Sequence, residues 1–327
     1  MSEGRGPGEP PVHVPVMCRE VIELLAPRTG GIYLDATVGG GGHTAAILER
    51  IGPQGLLLGV DRDAEALELA RHRLGDDPRL RLFHLDFRDL DRAVEMAGAG
   101  PLDGIVADLG ISSMQLGGRH RGFSFQRDED LDMRMDRSTG KTAAEWLEEQ
   151  DMGSLRRALR DYGEEVRWGS RIARAIVNRR ESHGPIRTTG ELAAVVRSAV
   201  PRRGPTRIDP ATKTFQAIRI AVNDELRGLG RFVDDAIEAL GPEGRLAVIS
   251  FHSLEDREVK AAFRRLAGQC LCPPGMPVCG CGRVERIRPL TRRPRRPGED
   301  ELMANPRARS ARLRAAERLA DPPGGPQ

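Results

Sequence analysis

Nine residues, Asp35 to His43, read DATVGGGGH and set one acid, four consecutive glycines and a histidine between two apolar runs. Four successive glycines lose much backbone freedom on folding, which is tolerated where positive φ or close approach by a ligand requires it. A plain tight turn is the alternative reading. Ile32, Tyr33 and Leu34 form a buried-strand run ahead of the loop, and Thr44 to Ile51 carry Ala45, Ile47, Leu48 and Ile51 at helical spacing behind it. Strand, glycine loop and helix in that order suit a nucleotide-like ligand. The dinucleotide pattern GxGxxG is missing, and Asp35, four residues ahead of the first glycine, would repel a pyrophosphate. An acid in that place suits a cationic or amino group, such as the amino acid end of S-adenosylmethionine (SAM).

The next strands end in matching chemistry. Leu56 to Val60 runs into Asp61, a carboxylate able to accept from both hydroxyls of a ribose, and Leu80 to Leu85 runs into Asp86 and Phe87, an acceptor and a flat ring suited to an adenine. Leu102 to Asp108 ends in DLGISS, where open α/β sheets place reacting groups; Asp108 either faces a methyl donor or caps a turn, and Gln115 is placed to reach back to the donor. RGFSF from Arg121 to Phe125 offers two rings, either to stack on a base or, the preferred reading, to anchor a neighbouring domain. KTFQ from Lys213 to Gln216, Asn223, and Ser250, His252 and Ser253 lie at a helix start, on a helix face and at a strand end; His252 there is either a local hydrogen-bonding residue or a reactive one. Cys270, Cys272, Cys279 and Cys281 fall within twelve residues, a density that points to metal, with a structural zinc as the sharp reading. Their CxC pairs strain chelation by both members.

These residues need a sheet to hold them. The first 108 residues alternate strand and helix, the start of a parallel doubly wound sheet. The alternation then stops for about 100 residues, where Trp146 to Tyr162, Val166 to Arg180 and Glu191 to Val200 have helical spacing. A long helical stretch from about Phe215 to Leu240, a strand from Arg245 to Phe251 that rejoins the sheet, a helix from Leu254 to Leu266 and a short strand near Val284 to Ile287 follow. The expected organisation is a disordered lead-in over 1–11, a discontinuous sheet domain over 12–111 and 212–290, a helical insertion over 112–211, and a basic tail over 291–327 in which NPRARSARLRAAERL forms a helix.

Composition sets the bounds. The chain has 327 residues, 30% of them charged and 39% hydrophobic, the profile of a globular protein with a substantial core. No apolar stretch reaches the roughly 18 to 20 residues that cross a bilayer, and MSEGRGPGEPP lacks the apolar core of a secretory signal, so the expected location is the cytoplasm and no membrane is involved. Net charge is only +3, yet Arg283 to Arg318 hold 12 arginines against five acids. Arg307, Arg309, Arg312 and Arg314 are the candidates there for holding phosphates. A codon bias toward arginine is the blunt alternative, since lysine occurs only at Lys141, Lys213 and Lys260.

Several of these strings together resemble the RsmH (MraW) family of bacterial methyltransferases: HVPVM at His13, DATVGGGGH at Asp35, DRD at Asp61, DLGISSMQL at Asp108, RGFSF at Arg121, LDMRMD at Leu131, KTFQAIRIAVNDEL at Lys213, ISFHSLEDR at Ile249 and NPRARSARLR at Asn305. The resemblance covers nearly the whole chain. It implies a Rossmann-like class I SAM methyltransferase sheet with an inserted all-helical domain, and transfer of a methyl group to the N4 amine of a cytidine in the decoding region of 16S rRNA. The partner would be that rRNA within the small ribosomal subunit or its late assembly intermediate. By matching motif it implies SAM contacts from Gly41, Gly42, His43, Asp61, Phe87, Asp108 and Gln115. The cysteine cluster varies among members, so any zinc would be structural. Many amine-directed methyltransferases carry Asn, Asp or Ser, two prolines and an aromatic at the fourth strand's end; here the residues are Asp108, Leu109, Gly110 and Ile111. Asp108 is the candidate acceptor for the amine's proton, or else it holds the donor's amino group. The rivals are a non-enzymatic RNA binder on the same scaffold and a dehydrogenase, which titration with SAM and NAD would separate.

Overall fold

The structure, a computed structural model, describes residues 15–117, 120–201, 209–270, 272 and 284–320. The first part alternates as α1 (Cys18–Leu25), β1 (Ile32–Asp35), α2 (Gly42–Ile51), β2 (Leu56–Asp61), α3 (Ala64–Leu74), β3 (Leu80–His84), α4 (Leu90–Ala97) and β4 (Leu102–Asp108). Six helices follow: α5 (Ser113–Gly117), α6 (Ala143–Glu149), α7 (Met152–Asp161), α8 (Gly169–His183), α9 (Thr189–Ala199) and α10 (Ala211–Asn223). The chain ends with α11 (Leu229–Ala239), β5 (Leu240–Ser250), α12 (Ser253–Leu266), β6 (Ile287–Pro289), α13 (Glu299–Ala304) and β7 (Arg312–Arg318).

Among the described residues the strands form one sheet in the order β3-β2-β1-β4-β5-β7-β6. Its first five members are parallel, and β7 runs antiparallel to both neighbours. Successive side chains alternate between faces. Leu34, Leu58, Ile105 and Val248 therefore join Phe232 and Val233 of α11 on one side, while Tyr33, Leu57, Val106 and Ala247 join Val21 of α1 and Ile47 of α2 on the other. Both faces are covered, which is why β2 and β4 read as continuous apolar runs. The chain order reverses where β1 meets β2 on one side and β4 on the other, so a crevice opens beyond their carboxyl ends.

The helices after β4 have a core of their own, in which Leu131, Met133, Leu147, Leu155, Ile172, Ile176, Leu192 and Val196 are buried. Thr142 with Glu145 and Thr188 with Glu191 form capping boxes that start α6 and α9. Phe123 is buried in this core, and Phe125 meets Phe215 edge-on at 4.9 Å under the Arg197 guanidinium, so RGFSF is the anchor. α10 buries Ala211, Phe215, Ala217 and Ile218 in the same cluster and so packs with the helices rather than with the sheet.

Three sequence expectations are corrected. The long helix from Phe215 to Leu240 is two, because Asp224 adopts φ 52 and closes α10 before Gly228, at φ 76, opens α11. Trp146 to Tyr162 is also two, since Asp151 accepts from the Ser154 amide and restarts the chain as α7. The tail is not a basic helix: Arg312 to Arg318 form β7, seated between β5 and β6. Arg, Leu, Ala and Glu favour helix locally, but Leu313 and Ala315 are small or apolar enough to pack under α1 while Ala316 faces the opposite layer, and pairing overrides propensity. The lead-in 1–11 lies outside the described residues.

Candidate active site

The carboxyl ends of β1, β2 and β4 converge on a cavity of about 450 Å³, a volume suited to a nucleoside-sized ligand. Gly39, Gly40, Gly42 and His43 line one wall, with Asp61, Phe87, Asp108 and Gln115 around them. Positive φ at Gly39 (51°) and Gly41 (74°) accounts for two of the glycines. Gly42 lines the cavity and also answers to the protein: a Cβ there would sit 2.7 Å from the Cβ of Pro15. Gly42→Ala must displace Pro15, and an expected loss of about 1–3 kcal/mol of stability, the usual range for overpacking, should appear as a lowered melting temperature. An unchanged melting curve would contradict that packing.

Asp35 does not line the cavity. It is 1% exposed, accepting from the Thr37 amide at 3.1 Å and the Thr44 hydroxyl at 2.7 Å. Its expected role opposite a cationic ligand group is replaced by tying the glycine loop to α2. Asp61 accepts from the Gly39 amide at 2.7 Å and the Asp63 amide at 2.8 Å, which leaves each oxygen a further lone pair toward the cavity. Burial pushes its carboxyl up to about 6 against those two amides.

Asp108 is held by its amide, which donates to the Thr37 hydroxyl at 2.6 Å. Its Oδ1 is buried with no hydrogen-bond partner among the described residues, and its Oδ2 lies 3.9 Å from His43 Nδ1. Burial first, then the charges of Asp35 and Glu255, raise its carboxyl well above the ordinary range. His43 is buried, and burial lowers its pKa. The neutral ring must donate from Nε2 to the Val16 carbonyl at 3.0 Å, so Nδ1 is a bare acceptor facing Asp108.

Gln115 is tied at both ends, accepting from the Ser112 amide and donating to Asp63 at 2.8 Å, with one amide hydrogen left over. Phe87 meets Phe232 edge-on at 4.9 Å, which fixes its ring at the cavity wall. Asp86 is taken by Arg88 and Arg62, so it is not the adenine acceptor suggested by its position.

Of the four arginines, Arg307 lines the cavity and Arg309 is exposed on the same short turn, Pro306–Ser310. Arg312 and Arg314 are corrected: both pair with Asp256 of α12, and Arg314 is 8% exposed, so they brace β7 and are not phosphate ligands. Asn223 joins Met133 and Met135 at 2.7 Å each, pinning LDMRMD to α10. Lys213 and Gln216 reach the carbonyls of Glu164 and Tyr162. His252 caps α12. Cys270 is exposed and Cys272 half-buried, while Cys279 and Cys281 lie outside the described residues. Arg219, Glu225 and Glu255 also line the cavity and were not foreseen. Their signal was faint, an Arg and a Glu six residues apart in IRIAVNDE and a Glu three residues after a histidine N-cap.

A family model described as the MraW methylase family matches residues 11–319. The chain belongs to the MraW methylase family. Within it, the chain is 51% identical over 312 residues to the "Ribosomal RNA small subunit methyltransferase H" of Pelobacter propionicus, spanning 94% of this chain and 98% of the relative. A protein of the same name from Trichlorobacter lovleyi is 52% identical over 309 residues, with the same coverage. Among solved structures, an rRNA methylase from Streptococcus thermophilus aligns over 93% of this chain and 94% of its own at 12% identity and a TM-score of 0.38. The sheet of this MraW methylase family member is a Rossmann-like class I SAM methyltransferase sheet. Among the described residues no helix is long and apolar enough to cross a membrane.

Proposed function

We propose that this chain transfers the methyl group of SAM to the N4 exocyclic amine of a cytidine in the decoding region of 16S rRNA, acting in the cytoplasm on the small ribosomal subunit or its late assembly intermediate. The observation that carries the reading is Asp108, which lines the cavity with the glycine loop and Asp61 and has a buried oxygen, Oδ1, without a hydrogen-bond partner among the described residues. A buried carboxylate oxygen without a donor is costly unless a ligand supplies one. The names of the relatives at about half identity support an rRNA substrate, and the motif resemblance supports the cytidine amine.

When bound, the donor supplies a methyl group already activated by its sulfonium. In this reading Asp61 accepts from ribose hydroxyls, Phe87 flanks the adenine, and Gln115 gives its remaining amide hydrogen to the methionine end, which their shared lining of the cavity supports. The cytosine amine is a weak nucleophile because its lone pair is delocalised into the ring, so the protein's task is mainly alignment, worth roughly 7 to 11 kcal/mol of barrier. The Asp108 carboxylate accepts a hydrogen of that amine, draws the nitrogen toward tetrahedral geometry and takes its proton as the nitrogen–carbon bond forms and the methyl–sulfur bond breaks. The raised carboxyl pKa fits a group that ends the step protonated. The base must leave any stack to enter, at a cost of a few kcal/mol, and Arg307 on the cavity lining with Arg309, exposed on the same turn, serve its flanking phosphates.

Nucleoside mass spectrometry tests substrate and chemistry together. Small-subunit rRNA from cells without this chain is expected to lose N4-methylated cytidine at one position, and purified chain with SAM to restore it. Identical nucleoside content with and without the chain overturns the proposal.

A further inference from the structure

The same cavity is also lined by Gly110, Arg219, Glu225, Phe251 and Glu255, residues to which the reading above gives no donor contact. Glu225 and Arg219 are both nearly buried and meet fork to fork, Nε to Oε1 at 2.8 Å and Nη2 to Oε2 at 2.7 Å. That arrangement uses one edge of the guanidinium, and Nη1 on its other side has no protein acceptor among the described residues.

Glu255 sits in the first turn of α12 and is 2% exposed. Its Oε2 accepts from the amides of Phe251 at 2.7 Å and His252 at 3.3 Å. Its Oε1 lies 3.0 Å from His252 Nε2, a contact that leaves this oxygen a second lone pair for a partner. A Cβ built on Gly110 would be 3.8 Å from that same oxygen and 3.5 Å from the Phe251 ring. Gly110 has φ 88° and therefore keeps the segment after Asp108 bare. Two carboxylates, Asp108 and Glu255, thus line one cavity on either side of the bare Gly110 in the company of the Arg219 guanidinium and the Phe251 ring.

Cytosine presents two amine hydrogens at one corner of its pairing edge, then the acceptors N3 and O2. Uracil puts an oxygen where the amine stands and a hydrogen on N3. Resting on the methyltransferase reading above, we infer that Glu255 and Arg219 form the acceptor-base subsite: Glu255 Oε1 accepts the second amine hydrogen beside Asp108, and Arg219 Nη1 donates to the N3 and O2 edge. A uracil would set its O4 against two carboxylates, and a site built to pair with a donor rejects the analogue lacking it. The two acids are also tuned apart. Burial works to raise the Glu255 carboxyl, but His252, Arg219 and the Phe251 amide outweigh it and hold it below the usual range, whereas Asp108 is raised. Glu255 then stays an ionised acceptor while Asp108 takes the proton.

The test uses the full chain saturated with S-adenosylhomocysteine and titrated with cytidine 5′-monophosphate or uridine 5′-monophosphate, followed by saturation-transfer NMR. The wild type is expected to prefer the cytidine nucleotide at least tenfold. Glu255→Gln, which keeps the side chain's size and its acceptor for the α12 cap, and the paired change Arg219→Gln with Glu225→Gln, which removes both buried charges together, should each abolish that preference. Both variants should bind S-adenosylhomocysteine within twofold of wild type, which verifies the fold. No preference in the wild type, or a preference that survives in Glu255→Gln, overturns the subsite. Mass spectrometry of the rRNA separately decides the reaction, so a cytidine preference without rRNA methylation would fault the proposed function and leave the subsite standing.

Discussion

Asp108→Asn is expected to slow methyl transfer in a single turnover by about 10²- to 10⁴-fold, the range for removing a positioned proton acceptor, while SAM affinity falls much less. The amide is the same size and keeps the backbone bond to Thr37, so the floor of the cavity is preserved. It cannot receive a proton, and its NH₂ half would face either the incoming amine or the bare Nδ1 of His43 at the place where Oδ2 now lies 3.9 Å away. The pH dependence separates the roles. A proton acceptor must be ionised, and burial with the neighbouring charges of Asp35 and Glu255 lifts the Asp108 pKa. The wild-type rate should therefore climb with pH through that raised value, and the residual rate of the variant should stay flat. Rapid-quench assays on small subunits across pH check both expectations. Equal losses in rate and in SAM affinity would assign Asp108 to the donor's amino group instead.

What the sequence made legible follows from how local each signal is. Strand ends with acids were readable because β1, β2 and β4 are buried on both faces and stop where the chain turns polar; Asp61, Phe87, Asp108 and Gln115 all line the one cavity. The direction of a side chain was not readable. Asp35 follows the same strand-then-acid pattern as Asp61, yet Thr44 on the next helix draws it inward. β7 was hidden because its residues favour helix and its partners, β5 and β6, are set by distant pairing. Arg312 and Arg314 counted as free charge only while Asp256, more than fifty residues away, was out of view. Arg219, Glu225 and Glu255 came from α10, the turn after it and α12, elements that meet only in the folded chain. A histidine as helix N-cap further disguised Glu255, since the usual capping box begins with Ser or Thr.

Asp61→Ala should weaken SAM binding by about 1.5–3 kcal/mol, the range for hydrogen bonds to a charged group, or about 10- to 150-fold in the dissociation constant. The loss has two sources, since the carboxylate offers lone pairs to the ribose and also holds the Gly39 and Asp63 amides that set the loop and the start of α3. Titration tells them apart. Asp61 is raised from an ordinary 3.8 to about 6. Its folded value lies above its unfolded one, so the ligand-free protein gains stability from the extra proton at low pH and loses that gain as pH rises through about 6. A donor whose hydroxyls and cationic groups favour the ionised carboxylate works in the opposite direction. Wild-type affinity should thus fall as pH drops below about 6, whereas Asp61→Ala should show a flat, weak affinity over the same range. Isothermal calorimetry at pH values on either side of that point measures it. A pH-independent wild type whose dissociation constant the substitution leaves unchanged would remove Asp61 from the donor site and leave it a loop residue, as Asp35 is.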